Sequence, residues 1–558
     1  MHSKRRLGPG LICMLFLGLF LAAEARIPAD IQDDINDLNT YSCTSIVVSR
    51  GASVDGSVMT THSCDGPYEI RLNVVPGKSR PAGEMRPVFK GGGLGAEMKA
   101  AIRSGEIPEV STTFSRFDIA YPFMNEKQVA IGETTIGGRR ELYNSEGFFD
   151  IMALERVALE RAATARQAIE IMGELAVRYG YSDGGECLTV CDPKEAWVFE
   201  IFGAGPLETG AVWAARRVPD GEVSVSANHS RIGAIDLKNT DDFMASDNVI
   251  QVAVEMGWYD PDSERPFIFN EAYSPYDMGY LMYTRRREWR VLSTLAPGMN
   301  LDPWCETGYP FSVKPEKKVS VKTLMTLHRD YYQDTPFDMS RGLAAGPFKT
   351  PNRYNVSQGT LKKGFLGWER PIAYNKCSYS FVSQSRDWLP DWIGGLIWFG
   401  EDDPKTTCYV PFYCGVTTVP KCFQTGRKDE YDRAAAWWAF NFVGNWADLK
   451  YMYMIEDIRK LQSELEGELF QLQPAVEATA LKLYADDPEA CRNYLTRYSN
   501  VTAQTIVDNW WGLADHLIVK YSDGLVNVGG EYRRVGYPKS WLDAVGYGKE
   551  PIKRARKE

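Results

Sequence analysis

Cys43 heads an alternating run, CTSIVVSR, and directly follows Ser42. Two roles are open to a thiol in that position. If the Ser42–Cys43 bond is cut, a single residue carries both a nucleophile and a base. An α-amine titrates at about 7.7–8 and a thiol at about 8.5, so a proton passes between them at nearly level free energy around neutral pH. No histidine partner is then needed. If the bond stays intact, Cys43 is a small buried hydrophobe, as free cysteines often are.

Other chemistries are poorly supplied. The five histidines lie at positions 2, 62, 229, 328 and 516, with no close pair and no H-E-x-x-H, so no metal site and no cofactor is expected. The chain has no G-x-S-x-G, no P-loop and no dinucleotide fingerprint. A net charge of −10 argues against a nucleic-acid or anionic-membrane surface, both of which need clustered Lys and Arg. The 15 tryptophans fit core packing or a sugar- or peptide-binding cleft.

The elements around Cys43 follow from punctuation and period. Lys4, Arg5 and Arg6 precede an apolar stretch from Leu11 to Ala23, and Ala23-Glu24-Ala25 has the form of a cleavage site. Residues 1–25 therefore read as a signal peptide and the chain as exported, to a bacterial periplasm or beyond the cell. The apolar stretch is short of the roughly 20 residues of a membrane span, and no later one is long enough. Residues 26–42 read as a propeptide, 43–465 as the main domain and 466–558 as a helical extension. Removing the signal takes away Cys13 and leaves ten cysteines, nine without Cys43, which is not a tidy disulfide framework. Cys187 and Cys191 would stand about 13 Å apart along one strand, too far to bridge. Cys408, Cys414 and Cys422 leave one bridge open.

From Thr44, TSIVVSR and SVMTTHS flank a Gly- and Asp-punctuated turn, which predicts a hairpin. QVAIGETT, CLTVCD, EAWVFEIFG, AVWAARRV and EVSVSANHS predict further strands, the last four separated by turns and so antiparallel. Apolar spacing of three and four over 153–180, ended by Gly180, predicts one long helix. A second helical region is expected from about Glu430, clearest over 454–473, with stretches near 475–497 and 502–520. Strands first and helices later indicate an α+β fold.

Several segments in a shared order resemble the cysteine N-terminal-nucleophile dipeptidases, the PepD-like family related to secernins. They are CTSIVVSRGASVDGS, MNEKQVAIGETT at 124–135, ALERAATARQAIEIM at 158–172 and DPKEAWVFEIFG at 192–203. SANHSRIG, RREWRVLSTLAP, GLAAGPFKTPNR, SYSFVSQSRDWLPDWIGGLIWFGEDDP and YVPFYCGV follow. A more distant likeness links the chain to penicillin V acylases and bile-salt hydrolases. The resemblance implies an αββα sandwich of two antiparallel sheets between helices. The helical region from about residue 466 is open to two readings, a cap on the core or a contact between copies in a homo-oligomer.

The resemblance also implies roles. Cys43 would be the nucleophile and its amine the base. Asp65, in THSCDG, would accept hydrogen bonds from that amine, its plain alternative being a turn before Gly66. Asn125 would supply a backbone N–H to an oxyanion hole and Asn228 its side-chain amide, each donor worth roughly 3–4 kcal/mol. Arg287 is the choice for an arginine beside the nucleophile, with Arg286 and Arg290 competing and a cationic helix face as the plain alternative. The relatives carry arginine where this chain has His62, which is shorter, titrates near neutral pH and cannot form the same fork. Glu133 is a candidate for the substrate's ammonium, its alternative an ordinary strand-surface glutamate. The expected reaction is hydrolysis of dipeptides or small peptides through a thioester, after self-cleavage before Cys43. An N-acyl amide hydrolase and a catalytically silent binding protein are the competing readings.

Overall fold

Cys43 and His62 sit on two neighbouring strands that are buried along their whole described length, so every small hydroxyl on them needs an internal partner. The structure, a computed structural model, describes residues 42–81, 83–91, 101–205, 209–275, 283–305, 307–352 and 369–547. The expected signal peptide, all of the expected propeptide except Ser42, and the C-terminal basic tail lie outside those residues. Strand β1 (Ser42–Val48) and strand β2 (Met59–Asp65) form the predicted hairpin, with Cys43 opposite Cys64 and Ser42 opposite Asp65. Their hydroxyls are used inward. Thr61 Oγ1 accepts from the Ile46 N–H at 2.9 Å, and Ser63 Oγ accepts from the Thr44 N–H at 3.2 Å.

Beyond two small two-stranded sheets, the strands from Ala130 onward build a second large sheet. They are β3 (Ala130–Thr135), β4 (Glu186–Cys191), β5 (Ala196–Gly203) and β6 (Ala211–Arg217), followed by β7 (Val223–Ser226), which returns to the first sheet, and β8 (Phe243–Ala245). Strands β9 (Ser312–Val313), β10 (Cys377–Gln384), β11 (Leu396–Glu401) and β12 (Val410–Tyr413) complete the first. The two sheets have the orders β9-β7-β1-β2-β10-β11-β12 and β8-β6-β5-β4-β3, and every pairing is antiparallel.

The sheets lie face to face, joined by hydroxyl contacts as well as apolar side chains. Thr60 Oγ1 meets Thr189 Oγ1 at 2.6 Å and Thr134 Oγ1 meets Ser226 Oγ at 2.5 Å. Gly132 on β3 lets the sheets approach, since a Cβ there would run into Thr61 O, Ser45 Oγ and Thr189 Oγ1.

Helices cover both outer faces. The stretch 153–180 forms two helices, α1 (Ile151–Arg161) and α2 (Ala165–Tyr179), where the sequence predicts one. Ala162 is extended, and Thr164 caps the second helix by accepting from the Gln167 N–H, so a local cap outcompetes continuation of the period. Helix α2 packs on β4, β5 and β6. Helix α3 (Arg285–Leu295) leans on β7, and α4 (Val321–His328) on β10.

Three long helices follow: α5 (Ala436–Ala447), α6 (Tyr451–Asp486) and α7 (Pro488–Tyr521), of which α5 packs on β11 and α7 on β12. The expected stretch 475–497 is interrupted at Asp487, whose carboxylate caps α7 through the N–H groups of Glu489 and Ala490, with Pro488 as its first residue. Helix α6 runs unbroken through residue 466, where the extension was expected to begin. Its Glu466 pairs with Arg329 at 2.5 Å and accepts the Tyr409 N–H at 2.9 Å, and its Glu477 pairs with Arg386 at 2.6 Å. All described cysteines are free thiols, so the bridge left open among Cys408, Cys414 and Cys422 is not made. No helix among the described residues is long and apolar enough to cross a membrane.

Candidate active site

Residue 43 is held by its backbone before its side chain is considered. The Cys43 N–H donates to Asn228 Oδ1 at 3.2 Å, and the Cys43 carbonyl accepts from Arg287 Nη1 at 2.7 Å. Asn228 and Arg287 are themselves joined, Nη2 donating to Oδ1 at 2.8 Å. Asn228 reaches this place because the chain turns just after β7, with its φ at +62°, a left-handed conformation that asparagine tolerates better than most residues. Its Nδ2 donates to Thr135 O at 2.7 Å.

Arg287 comes from the first turn of α3 and is fully buried. It also donates to Thr44 Oγ1 at 2.9 Å, Ala227 O at 3.1 Å and Tyr283 O at 2.8 Å. Burial, together with nearby Arg370, pushes its guanidinium down to about 10. The two competing arginines are turned elsewhere: Arg286 pairs with Glu369 and lies against the Phe337 ring, and Arg290 pairs with Asp330 at 2.7 Å. Geometry therefore selects Arg287 of the three.

Asp65 is fully buried at the end of β2 and pairs through Oδ2 with Arg370, while Ser63 Oγ donates to the same oxygen at 3.2 Å. Its Oδ1 is buried with no hydrogen-bond partner, one residue along the ladder from Cys43. Burial lifts its carboxyl above the usual range, against the pull of Arg370.

The Cys43 thiol lies in a closed space, 1% exposed. Burial pushes it well above the ordinary thiol value, and the Cys64 thiol and the Glu133 carboxylate add to that. His62 Nε2 stands 3.3 Å from Glu133 Oε2, and aromatic rings of Tyr121, Tyr379 and Phe381 wall the imidazole. Glu133 is no strand-surface residue: it is fully buried. Burial would raise its carboxyl, but His62 beside it prevails and holds it below the usual range. Its neighbour Glu186 is lifted well above the usual range, by burial and then by Glu133. Although no two histidines are close, Cys43, His62 and Glu133 bring three potential metal-ligating atoms within 4.8 Å of one another.

Asn125 does something different from the expected oxyanion donation. Its backbone N–H donates to Val129 O at 3.1 Å, and its Nδ2 donates to Leu159 O and Ala162 O at 2.8 Å each. It ties the turn before β3 to the end of α1, with its N–H already spent.

Sequence reasoning missed Arg370 and Cys64. Arg370 is 305 residues from the aspartate it holds, and no local pattern marks it. Cys64 was legible in principle, because the register of the predicted hairpin puts it opposite Cys43.

Comparison with known proteins gives a consistent family. Residues 42–464 match Peptidase family C69. The chain is 27% identical over 394 residues to a protein named probable dipeptidase from Salmonella dublin, covering 67% of this chain and 81% of that one. It is 25% identical over 422 residues to dipeptidase A of Lactobacillus helveticus, covering 73% and 82%. Among solved structures, penicillin V acylase from Agrobacterium tumefaciens aligns over 66% of this chain and 86% of its own, at 12% identity and a TM-score of 0.26.

Proposed function

The chain belongs to peptidase family C69, and we propose that it is an exported cysteine dipeptidase activated by cleavage of its own Ser42–Cys43 bond. The observation that carries this reading is the double grip of Asn228 and Arg287 on the nitrogen and carbonyl of Cys43. An N-terminal nucleophile needs its main-chain nitrogen held in place, whereas an ordinary core cysteine needs nothing of the kind.

Activation begins with attack of Cys43 Sγ on the Ser42 carbonyl carbon. The C–N bond breaks as the C–S bond forms, leaving the segment on sulfur and a new α-amine on Cys43. Water hydrolyses that thioester and frees the thiol. In turnover the amine takes the thiol proton as Sγ attacks the dipeptide carbonyl, and returns it to the departing amine. A second water, deprotonated by the same amine, releases the acyl group. Burial keeps the thiol protonated at rest, so proton transfer accompanies attack instead of preceding it. Asn228 Nδ2 is the oxyanion donor in this reading, using the hydrogen not given to Thr135 O. Asp65 Oδ1, unpaired while Cys43 is an amide, becomes an acceptor for the new ammonium. Glu133 is the anion that receives the substrate's own ammonium, with His62 setting its charge.

Turnover of dipeptides, tripeptides and N-acyl amides on one preparation tests the substrate class. Dipeptide hydrolysis blocked by iodoacetamide supports the proposal. Cleavage of N-acyl amides with dipeptides left intact would replace it with the acylase reading.

A further inference from the structure

We propose that Cys43 Sγ, His62 and Glu133 form a binding site for one divalent cation of the zinc class, and that its occupation withdraws the nucleophile. The site has the donor set such a cation prefers: one thiolate, one imidazole and one carboxylate, with a fourth tetrahedral position left over. The three ligating atoms lie within 4.8 Å of one another, and His62 Nε2 and Glu133 Oε2 are already 3.3 Å apart. Ligand atoms around a tetrahedral zinc stand about 3.5 Å apart, so small side-chain rotations close the set.

A second, independent observation points to a ligand. Both ring nitrogens of His62 and Glu133 Oε2 are buried without an aligned hydrogen bond. Folded chains rarely leave such atoms without an aligned hydrogen bond, and here His62 and Glu133 each offer one ligating atom within 4.8 Å of the Cys43 sulfur. The other carboxylate oxygen, Glu133 Oε1, is fixed by Thr135 Oγ1 at 3.1 Å, which directs Oε2 toward the imidazole.

Charge balance favours the same occupant. A buried thiolate and a buried carboxylate carry two negative charges, which a divalent cation cancels, and the imidazole binds neutral. Binding replaces the Cys43 S–H bond with a sulfur–metal bond and releases that proton to solvent, so occupation strengthens as pH rises. In the processed chain the Cys43 amine can take the fourth position. The consequence for catalysis rests on the reading of Cys43 as nucleophile; the binding itself does not.

Cobalt(II) and zinc test this on the purified full chain. One equivalent of cobalt gives a near-ultraviolet thiolate-to-metal charge-transfer band, which one equivalent of zinc displaces. The band is lost in Cys43→Ala and kept in Cys64→Ser. His62→Gln and Glu133→Gln, each verified as folded by circular dichroism, weaken binding by more than about 10-fold. One equivalent of zinc also protects Cys43 from iodoacetamide in the wild type, and a chelator restores alkylation. No band in the wild type, a band of equal affinity in folded His62→Gln and Glu133→Gln, or unprotected alkylation would each overturn the site. None of these readouts requires turnover, so a failed dipeptidase assay and a failed metal site remain distinguishable.

Discussion

At Cys43 burial and catalysis pull in opposite directions: the closed space raises the thiol, while attack requires the proton to leave. The neighbouring groups resolve this if the α-amine takes the proton and Asp65 and Asn228 hold amine and oxyanion. Asn228→Ala should therefore lower kcat on the order of 10²–10³ with little change in KM, as loss of a preorganised donor does. Steady-state kinetics on a preparation matched for processing measures it, and an unchanged kcat would remove Asn228 from the oxyanion hole. Asp65→Asn has a signed pH consequence. A carboxylate near an ammonium stabilises it, so its removal, which also leaves Arg370 uncompensated, should lower the amine pKa. The acid limb of kcat/KM then moves to lower pH, by about one unit. A limb that stays in place or moves up contradicts that role. At this scale Cys43 and Asp65 were legible because one hairpin carries both. Arg287 could be named only among three arginines, since one helical turn presents them all and only the fold shows which reaches Cys43 O. Arg370 has no local signal, and the Asn125 backbone N–H, which the family resemblance assigned to the oxyanion, donates to Val129 O.

Among the elements, the hairpin of β1 and β2 and its contact with β3 decide the site. Period-two alternation and Gly–Asp turns made the strands readable. The break between α1 and α2 was not, because Ala-rich sequence continues the helical period across it and only the Thr164 cap ends it. Close approach of the sheets at Gly132 also left no trace in the sequence beyond a glycine inside a strand. Gly132→Ala should destabilise the protein by about 3 kcal/mol, since Thr61 O is backbone and cannot move aside. Urea denaturation measures this, and a variant as stable as wild type would show that the sheets have room to separate.

For the whole molecule, the family match ends at residue 464, inside a helix that continues to Asp486. The residues beyond it do more than extend the chain: Glu466 and Glu477 anchor α6 to Arg329 and Arg386, and Trp510, Ala514 and Leu517 of α7 are buried. Truncation after residue 464 should abolish the cooperative thermal transition and expose dye-binding apolar surface. A truncated chain that melts like the full one would make these helices a separable appendage. Their helical character was legible from period and caps, but their place against β11 and β12 was not, because tertiary packing between distant segments has no periodic signature.

The central claim is that cleavage before Cys43 creates a working nucleophile. Intact mass and N-terminal sequencing of the expressed wild type and of Cys43→Ala, with dipeptide turnover on the same samples, test it most directly. The account predicts a wild type that begins at Cys43 and hydrolyses dipeptides, and a variant that keeps the Ser42 bond and does neither. A wild type that still carries residue 42, with no turnover, would contradict it.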